Sequence, residues 1–479
     1  MPDDLANYAF LRANDEITAE RLPITGRMPE WLEGTLLRNG PGQMTVGEQR
    51  FRHWFDGFAM LHKFSFAGGR VAYAGKYLET KARASALAEG RITYTEFATD
   101  PCRSLFARAM AMFTHQVTDN AKVSIGHFAD RFLAMTETAI QVEFDPETLR
   151  SVGVFQYEDD PVGQMTTAHP HFADGYMYNV VTRFGPASQV RAYRIDREMR
   201  RERLGAFGAA KPSYMHSFAI TPNHLVVTEF PLVVNPLALL FWLKPFIENF
   251  TWEPRRGTPF TVLDRHTGEV VARVDADPFF AFHHVNAFER GDEIVVDIVA
   301  YPDADIVTHY YLERLTGTDL RLPHGRLTRY TVPLKGARGR GGARVRAEPL
   351  SDACIELPHI DYAHHNMDPA QRYVYGIGLQ PDREHEFYNQ LVKIDTASGT
   401  TAAWHETDCY PGEPIFVPAP ERRGEDHGVL LSVVLDADAG RSFLLVLDAR
   451  DLGELARAAL PQPVMIGFHG TFVPPSTAS

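Results

Sequence analysis

Short alternating β-strands separated by turns dominate this 479-residue sequence and constrain its fold more than any other feature. Apolar and β-branched residues recur in runs of about 4–8 residues bounded by turn residues, which is typical of β-strands. These runs include RVAYAGKYLE, GYMYNVVTRF, HLVVTEF, EIVVDIVAY, RYVYGIGL, GVLLSVVLD and SFLLVLD. Helical patterns are few, and the sequence predicts short helices over 104–113 and 236–243. We therefore expect an all-β fold.

An aspartate-centred turn follows a strand at five places, and these turns divide the chain into weak repeats. The aspartates are Asp145, Asp196, Asp264, Asp395 and Asp448. Aspartate starts such turns because its carboxylate accepts hydrogen bonds from nearby backbone N–H groups. A pure β repeat of about 50–70 residues is typical of propeller blades with four strands each, and about seven such blades fit the chain length. A two-sheet sandwich with repeated hairpins is the alternative fold.

Composition argues against several classes of protein. The chain has 48 Lys and Arg against 61 Asp and Glu, and its net charge of −13 disfavours nucleic-acid binding. It has no apolar run long enough to span a bilayer and no N-terminal secretory signal. Three widely spaced cysteines, Cys102, Cys354 and Cys409, predict no disulfide framework, which fits a cytoplasmic location. The basic, glycine-rich segment 335–346 is interpreted as a solvated loop.

Four histidines lie far apart in the sequence, each in a short apolar segment. They are His169 in TTAHPHF, His216 in YMHSFAI, His283 in FFAFHHVNAF and His469 in IGFHGTFVP. The inner strands of a propeller face its axis, so side chains from different blades can meet there. Four neutral imidazoles would hold a divalent metal such as zinc, copper, iron or nickel. The residues alone leave the neighbouring His171 and His284 open as alternatives to His169 and His283.

Three glutamates, Glu137, Glu356 and Glu413, also lie in apolar, strand-like contexts. A buried carboxylate needs a partner, and a metal-bound imidazole needs one on its other ring nitrogen. The glutamates therefore either cap local turns or hold the metal ligands. Four ligands on an octahedral ion leave two positions open, which favours iron(II) with dioxygen and an organic substrate, whereas zinc more often uses fewer histidines. The sequence lacks the hydrolase, P-loop, zinc-protease and dinucleotide-binding motifs.

Eight segments in a fixed order resemble the carotenoid cleavage oxygenase family. They are LLRNGPG, HWFDGFAMLHKFSF, TAHPHF, SYMHSFAIT, FHHVNAFE, ELPHIDY, YPGEPIFV and GFHGTF. The resemblance covers nearly the whole chain, and the ordered set is far more specific than any one motif. The segments RITYTEFATDPCRSLFAR, VTDNAKVSI and TETA are similar to the animal branch, which holds the β-carotene oxygenases and the retinal pigment epithelium isomerohydrolase.

The resemblance implies a seven-bladed β-propeller with a helical and loop cap on one face, forming a single oxygenase domain over 1–479. It implies an iron(II) ion on the axis, with no catalytic residue beyond the metal centre. The implied ligands are the first histidine of TAHPHF and of FHHVN, together with those of YMHSF and FHG: His169, His283, His216 and His469. Glu137, Glu356 and Glu413 are implied to pair with His216, His283 and His469, respectively.

The activity implied by the resemblance is oxidative cleavage of a polyene double bond by dioxygen, giving two apocarotenal or retinal-type carbonyl products. Stilbene-cleaving relatives carry a lysine where this chain has Thr136, which disfavours a stilbene substrate. Val123 matches a position near the vacant iron site. Ester isomerisation, the reaction of one branch, stays open. The alternatives are stilbene cleavage and a metal-free carotenoid-binding or retinoid-binding propeller.

Two segments predict contact with a membrane surface, where carotenoids reside. Segment 102–113 alternates arginine with large apolar residues, and segment 231–252 is apolar but interrupted by prolines. Cys102 lies where animal relatives carry an acylated cysteine. We expect a cytoplasmic protein with peripheral membrane association, whose partners are a hydrophobic polyene and O2. No nucleic acid and no obligate protein partner is expected.

Overall fold

Most strands in the described part of the chain form seven antiparallel sheets of four to six strands, each of which is one blade of a propeller. The computed structural model describes residues 3–19, 21–101, 117–157, 163–240, 244–335 and 343–475. Every strand named above lies in one of the seven sheets. The predicted all-β propeller is therefore confirmed, and the two-sheet sandwich is wrong.

Blades 2 to 6 each form from one continuous stretch of chain, which starts at one edge of its sheet and ends at the other. Blade 2 contains Ser124–Phe128, Arg131–Met135, Val142–Phe144 and Ser151–Val154. Blade 3 contains Met165–Thr166, His171–Ala173, Tyr176–Arg183, Gln189–Ile195 and Arg201–Gly208. Blade 4 contains Ala219–Ile220, His224–Thr228, Thr258–Asp264 and Val270–Ala276. Blade 5 contains His284–Arg290, Glu293–Ala300, Arg326–Pro333 and Arg346–Cys354, and blade 6 contains Glu356–His359, Tyr373–Gly378, Gln390–Asp395 and Thr401–Trp404.

Blades 1 and 7 combine strands from both ends of the chain and so close the ring. Blade 1 contains Gly470–Val473, Gly34–Gln43, Phe58–Ala67, Arg70–Tyr77 and Ile17–Ala19, in sheet order. Blade 7 contains Cys409–Pro411, Ile415–Pro418, Gly428–Asp436, Arg441–Asp448, Glu454–Ala459 and Ile24–Gly26. The C-terminal strand pairs with an N-terminal one, with Phe472 opposite Leu36. Strand pairing thus joins the two ends of the described chain.

The five aspartate turns form as predicted. Each carboxylate accepts hydrogen bonds from backbone N–H groups two to four residues further on, at Glu147, Arg200, Thr267, Ala397 and Arg450. These bonds satisfy donors that the end of a strand leaves without a partner. The turns sit between the outer strands of blades 2, 3, 4, 6 and 7, so the weak repeat in the sequence reflects the blade structure.

Short helices and two β-ribbons fill the connections between strands. The helical segments are Asp3–Ala6, Asn7–Leu11, Trp54–Asp56, Lys81–Glu89, Pro236–Leu240, Ile247–Asn249, Pro254–Arg256, Asp305–His309, Leu312–Leu315 and Tyr362–His365. The ribbons pair Thr45–Val46 with Gln49–Arg50, and Leu232–Val234 with Phe250–Trp252. Trp54 N–H donates to the Tyr310 carbonyl, and Ile247 N–H donates to the Phe97 carbonyl. These backbone bonds join several of the connections into a cap.

Some predicted features fall wholly or partly outside the described residues. The predicted helix 104–113 and Cys102 lie there, as do 336–342 of the basic loop and 241–243 of the second predicted helix. Within the described residues, Cys354 and Cys409 are buried and form no disulfide bond. No helix in the described ranges combines the length and apolar character that crossing a bilayer requires.

Blades 3 and 4 approach each other closely at two glycines. A Cβ atom on Gly205, in the outer strand of blade 3, would lie 2.0 Å from the Gly268 carbonyl oxygen in a turn of blade 4. Gly268 has φ +74°, which also favours glycine. The backbones of the two blades are therefore in direct contact at these glycines, and the space between them cannot hold a side chain.

We expect Gly205→Ala to destabilise the protein by about 2 kcal/mol, because the added methyl group forces the blades apart. Gly208→Ala is the matched control, since a Cβ atom at Gly208 in the same strand meets nothing within 4 Å. Urea unfolding of both variants checks this prediction. Equal stability of the two variants would contradict the close contact between blades.

Candidate metal centre

The four predicted histidines lie at the same structural position in four blades, just before the first residue of the innermost strand. His469 precedes Gly470–Val473 in blade 1, His169 precedes His171–Ala173 in blade 3, His216 precedes Ala219–Ile220 in blade 4 and His283 precedes His284–Arg290 in blade 5. Blade geometry therefore brings together residues that are up to 300 positions apart in the sequence.

The four imidazoles converge on one point near the axis. Their ligand nitrogens all lie within 4.8 Å of one another. The Nε2 atoms of His169 and His216 are 3.0 Å apart, and those of His283 and His469 are 3.2 Å apart. Nitrogens bound to one ion at about 2.1 Å are separated by about 3.0 Å when adjacent and about 4.2 Å when opposite. The cluster thus has the dimensions of a single coordination site.

Three of the imidazoles donate a hydrogen bond from Nδ1 to a glutamate, of which Glu356 and Glu413 are buried and Glu137 is half-buried. The pairs are His216 with Glu137 at 2.6 Å, His283 with Glu356 at 2.7 Å, and His469 with Glu413 at 2.8 Å. A carboxylate only accepts, so the proton of each neutral ring resides on Nδ1 and Nε2 keeps its lone pair. Lone pairs that face each other at about 3 Å repel unless a cation lies between them, so this donor set fits a metal ion.

Val123, Glu356 and Glu413 take the corresponding positions in the other three blades. Val123 immediately precedes Ser124–Phe128 of blade 2, and Glu356 begins the innermost strand of blade 6. Glu413 lies between the two short inner strands of blade 7. The Val123 carbonyl accepts a hydrogen bond from the His469 N–H, which fixes its distance from the centre. Each blade thus contributes one residue that either belongs to the histidine cluster or forms a hydrogen bond with one of its members.

Burial keeps His169, His283 and His469 neutral and available to a metal. Desolvation lowers the pKa of His283 to about 4 and of His469 to about 3, and it lowers the pKa of His169 well below its ordinary value. Burial also opposes ionisation of Glu356, but the contact with His283 outweighs it and leaves the pKa of Glu356 below its ordinary value. At neutral pH the rings of His169, His283 and His469 are therefore uncharged.

His171 and His284, the two alternatives, are occupied elsewhere. The His171 ring contacts the Tyr362 hydroxyl at 2.8 Å and the Phe218 carbonyl at 2.9 Å. The His284 ring contacts the hydroxyls of Ser217 and Thr228 at 2.8 and 2.9 Å. Both nitrogens of each ring thus already have partners in the protein, which leaves no lone pair for a metal.

Three residues that the sequence did not single out hold the glutamates. The Tyr214 hydroxyl donates to Glu137 Oε1 at 2.5 Å, and the Tyr301 hydroxyl donates to Glu356 Oε1 at 2.9 Å. Arg38 lies with Nη1 3.7 Å from Glu413 Oε2 and donates from Nη2 to the Phe468 carbonyl. Two sequence features could have pointed to these residues. Tyr214 lies two residues before His216, and Arg38 lies inside the segment LLRNGPG.

An apolar cavity of about 420 Å³ leads to the imidazoles. Phe55, Phe282 and Phe468 line it beside the metal centre, and the Phe55 ring stacks on His216 with centroids 6.3 Å apart. Val123 and Thr136, both predicted near the reacting site, line the same cavity. The volume lies in the range of small-molecule binding sites.

The class of protein is thus a β-propeller in which four imidazoles, at the end of an apolar cavity, form a site that suits a metal ion. Comparison with known proteins identifies the family within this class. Residues 10–474 match the family model described as retinal pigment epithelial membrane protein. The chain is 35% identical to the carotenoid isomerooxygenase of Galleria mellonella, covering 98% of this chain and 96% of the other. It is 31% identical to human β,β-carotene 15,15′-dioxygenase, covering 96% of this chain and 93% of the other.

Among solved structures, the apocarotenoid oxygenase of Synechocystis is similar, with a TM-score of 0.87, 26% identity and 99% of both chains covered. The chain therefore belongs to the carotenoid oxygenase family of the retinal pigment epithelial membrane protein. The resemblance that the eight sequence segments indicated is confirmed.

We expect His216→Ala and His469→Ala to abolish stoichiometric metal binding, because each removes one converging lone pair. Glu356→Gln should weaken metal affinity by roughly tenfold or more, since it disturbs the orientation of His283. His284→Ala is the control, as this ring is buried but points away from the cluster. Metal analysis after loading with iron(II) and dialysis measures occupancy. A fully loaded His216→Ala protein would contradict the assignment of ligands.

Proposed function

We propose that this protein binds iron(II) through His169, His216, His283 and His469 and cleaves a polyene double bond in a carotenoid or apocarotenoid. The observation that carries the proposal is the convergence of four imidazole nitrogens at the end of an apolar cavity. The names of the relatives, a carotenoid isomerooxygenase and a β,β-carotene dioxygenase, support the substrate class.

Iron(II) is the ion that suits the donor set and the reaction. Imidazole suits several first-row metals, and four ligands on an octahedral ion leave room for two further groups. The chemistry that a bound iron(II) ion supplies is the activation of dioxygen. Glu137, Glu356 and Glu413 supply negative charge that offsets the charge of the ion and orient three of the four rings.

The reaction requires positioning rather than acid–base catalysis. One O2 molecule and one C=C bond give two C=O groups, so both oxygen atoms enter the products and no proton is transferred. The protein therefore has to align the polyene with the metal centre and exclude water. Phe55, Phe282 and Phe468 supply apolar surface for this purpose, and Val123 narrows the space beside the centre.

Stilbene cleavage and metal-free binding of a carotenoid or retinoid are the alternatives. Thr136 has a hydroxyl but no cation that would hold a phenolate, which argues against stilbenes. The Nε2 lone pairs of His283 and His469 face each other at 3.2 Å and repel without a cation, which argues against a metal-free protein. Isomerisation of an ester stays open, because no residue of the cavity separates it from cleavage.

The iron-loaded enzyme should convert β-carotene or a β-apocarotenal to two carbonyl products and leave resveratrol unchanged. Product chromatography with mass spectrometry, using ¹⁸O2, identifies the products and the origin of their oxygen atoms. His284→Ala protein serves as the active control and His469→Ala as the inactive one. Cleavage of resveratrol, or tight polyene binding without turnover by fully iron-loaded protein, would overturn the proposed reaction.

We also propose that the opening of the cavity contacts a membrane surface, from which a polyene would enter. Val117, Leu239 and Phe246 line the cavity near Lys244, and the Leu237 side chain is 53% exposed beside them. Apolar residues flanked by a cation favour an interfacial position. We further propose that 1–479 acts as one cytoplasmic catalytic domain.

Replacing both Leu237 and Leu239 with Asp should reduce recovery of the protein with liposomes in a flotation assay, because charges oppose insertion of apolar side chains. Val152→Asp is the control, since Val152 is 68% exposed in the outermost strand of blade 2. Equal flotation of the wild type and both variants would contradict the proposed contact.

A further inference from the structure

A buried ion pair interrupts the apolar wall of the cavity. Lys122 Nζ donates to Glu96 Oε2 at 2.5 Å, and the two side chains are only 4% and 1% exposed. Both residues line the same cavity as the metal centre. Neither belongs to the set that binds or orients the metal.

A contribution to folding stability does not explain why this ion pair is present. Removing two charges from water is costly, and apolar residues of similar volume often replace a buried ion pair without loss of stability. Burial raises the pKa of Glu96, although Lys122 and Thr118 oppose this effect. A charged pair facing an apolar cavity is therefore maintained at a cost to the fold.

Threonines extend the polar surface around the pair. The Thr118 hydroxyl donates to Glu96 Oε1 at 2.6 Å, and the Thr138 hydroxyl donates to the Thr118 carbonyl at 3.2 Å. Both line the cavity, as does Thr95. Charged and hydroxyl-bearing side chains thus interrupt the lining of a cavity that otherwise contains many aromatic residues, among them Phe55, Phe282 and Phe468.

Lys122 retains hydrogen-bonding capacity toward the cavity. An ammonium group has three N–H donors, and Glu96 is its only hydrogen-bond acceptor among the residues that the structure describes. Asp56, the other carboxylate nearby, is held by the N–H groups of His53 and Ala98 and by the Thr99 hydroxyl. A ligand oxygen in the cavity could therefore accept a hydrogen bond from Lys122.

The ion pair and the histidine cluster line the same cavity, and Lys122 is next in the chain to a residue that contacts the cluster. Lys122 precedes Val123, whose carbonyl accepts the His469 N–H bond, and successive Cα atoms are about 3.8 Å apart. An oxygen atom held there would fix the register of a long conjugated chain relative to the metal. A hydrocarbon chain has no such anchor, because apolar contacts change little when it slides by one double bond.

We propose that Lys122 and Glu96 form a polar subsite that hydrogen-bonds a hydroxyl or carbonyl oxygen of the substrate, so that the preferred substrate is an oxygenated apocarotenoid rather than a hydrocarbon carotene. This proposal rests on the proposed function and assigns its substrate class. Lys122 and Glu96 are positioning residues that select which double bond lies at the metal.

The test replaces the pair without leaving an unpaired charge. The double variant Lys122→Met/Glu96→Gln keeps the approximate volumes and leaves an acceptor for Thr118. The matched control is Lys393→Met/Asp426→Asn, which removes another lysine–carboxylate pair, formed by the buried Lys393 of blade 6 and the half-buried Asp426, with Nζ and Oδ2 2.6 Å apart. Each protein is measured with an apocarotenol and with the hydrocarbon of the same chain length that lacks its hydroxyl.

Binding is measured on metal-free protein by quenching of tryptophan fluorescence, and cleavage is measured as kcat/KM on iron-loaded protein. Wild type and control should prefer the apocarotenol by about tenfold or more, whereas the Lys122→Met/Glu96→Gln protein should lose this preference and keep its affinity for the hydrocarbon. Its products should also show cleavage at more than one double bond. Melting temperatures of both double variants establish that they fold.

An unchanged preference in the Lys122→Met/Glu96→Gln protein, or equal binding of both ligands by wild type, would overturn the polar subsite. Loss of both ligands in equal proportion would also overturn it, because that result indicates a structural role. Failure of iron-loaded wild type to cleave any polyene would instead overturn the proposed function, and the binding ratio separates the two outcomes.

Discussion

The hydrogen bonds from three imidazole Nδ1 atoms to glutamates are the interactions on which the site depends. They place the ring protons on the side away from the axis, so that Nε2 lone pairs face one another. That arrangement is repulsive without a cation and favourable with one. Tyr214, Tyr301 and Arg38 hold the glutamates in turn, so the geometry of the centre also depends on residues beyond the four histidines and their carboxylate partners.

The propeller makes such a centre possible because it repeats one position seven times around an axis. In blade order from 1 to 7, the residues at the start of the inner strands are His469, Val123, His169, His216, His283, Glu356 and Glu413. Four of these converge as candidate ligands, two carry carboxylates that orient a ligand, and Val123 leaves one side of the centre apolar. The fold thus accounts for both the number of histidines and their wide separation in the sequence.

Local features were predictable from the sequence because their causes are local. The aspartate turns bond to N–H groups within four residues, and the strand runs alternate in the expected way. The histidine set could be narrowed by sequence context, but the choice of His169 over His171 depended on family resemblance. The roles of Arg38 and Lys122 were not predictable, because their partners are 375 and 26 residues away and lie in other strands or connections. The pairing of the short strand Ile24–Gly26 with blade 7 was likewise not predictable, because three residues are too few to show the alternating pattern of a strand.

X-ray absorption spectroscopy of the iron(II)-loaded protein at the iron edge tests the central claim most directly, because it counts imidazole ligands on the ion itself. We expect one iron per chain, with a scattering pattern that requires four imidazoles bound at about 2.1 Å. A centre with two or fewer imidazoles, or iron bound in less than stoichiometric amount at several unrelated sites, would contradict the account.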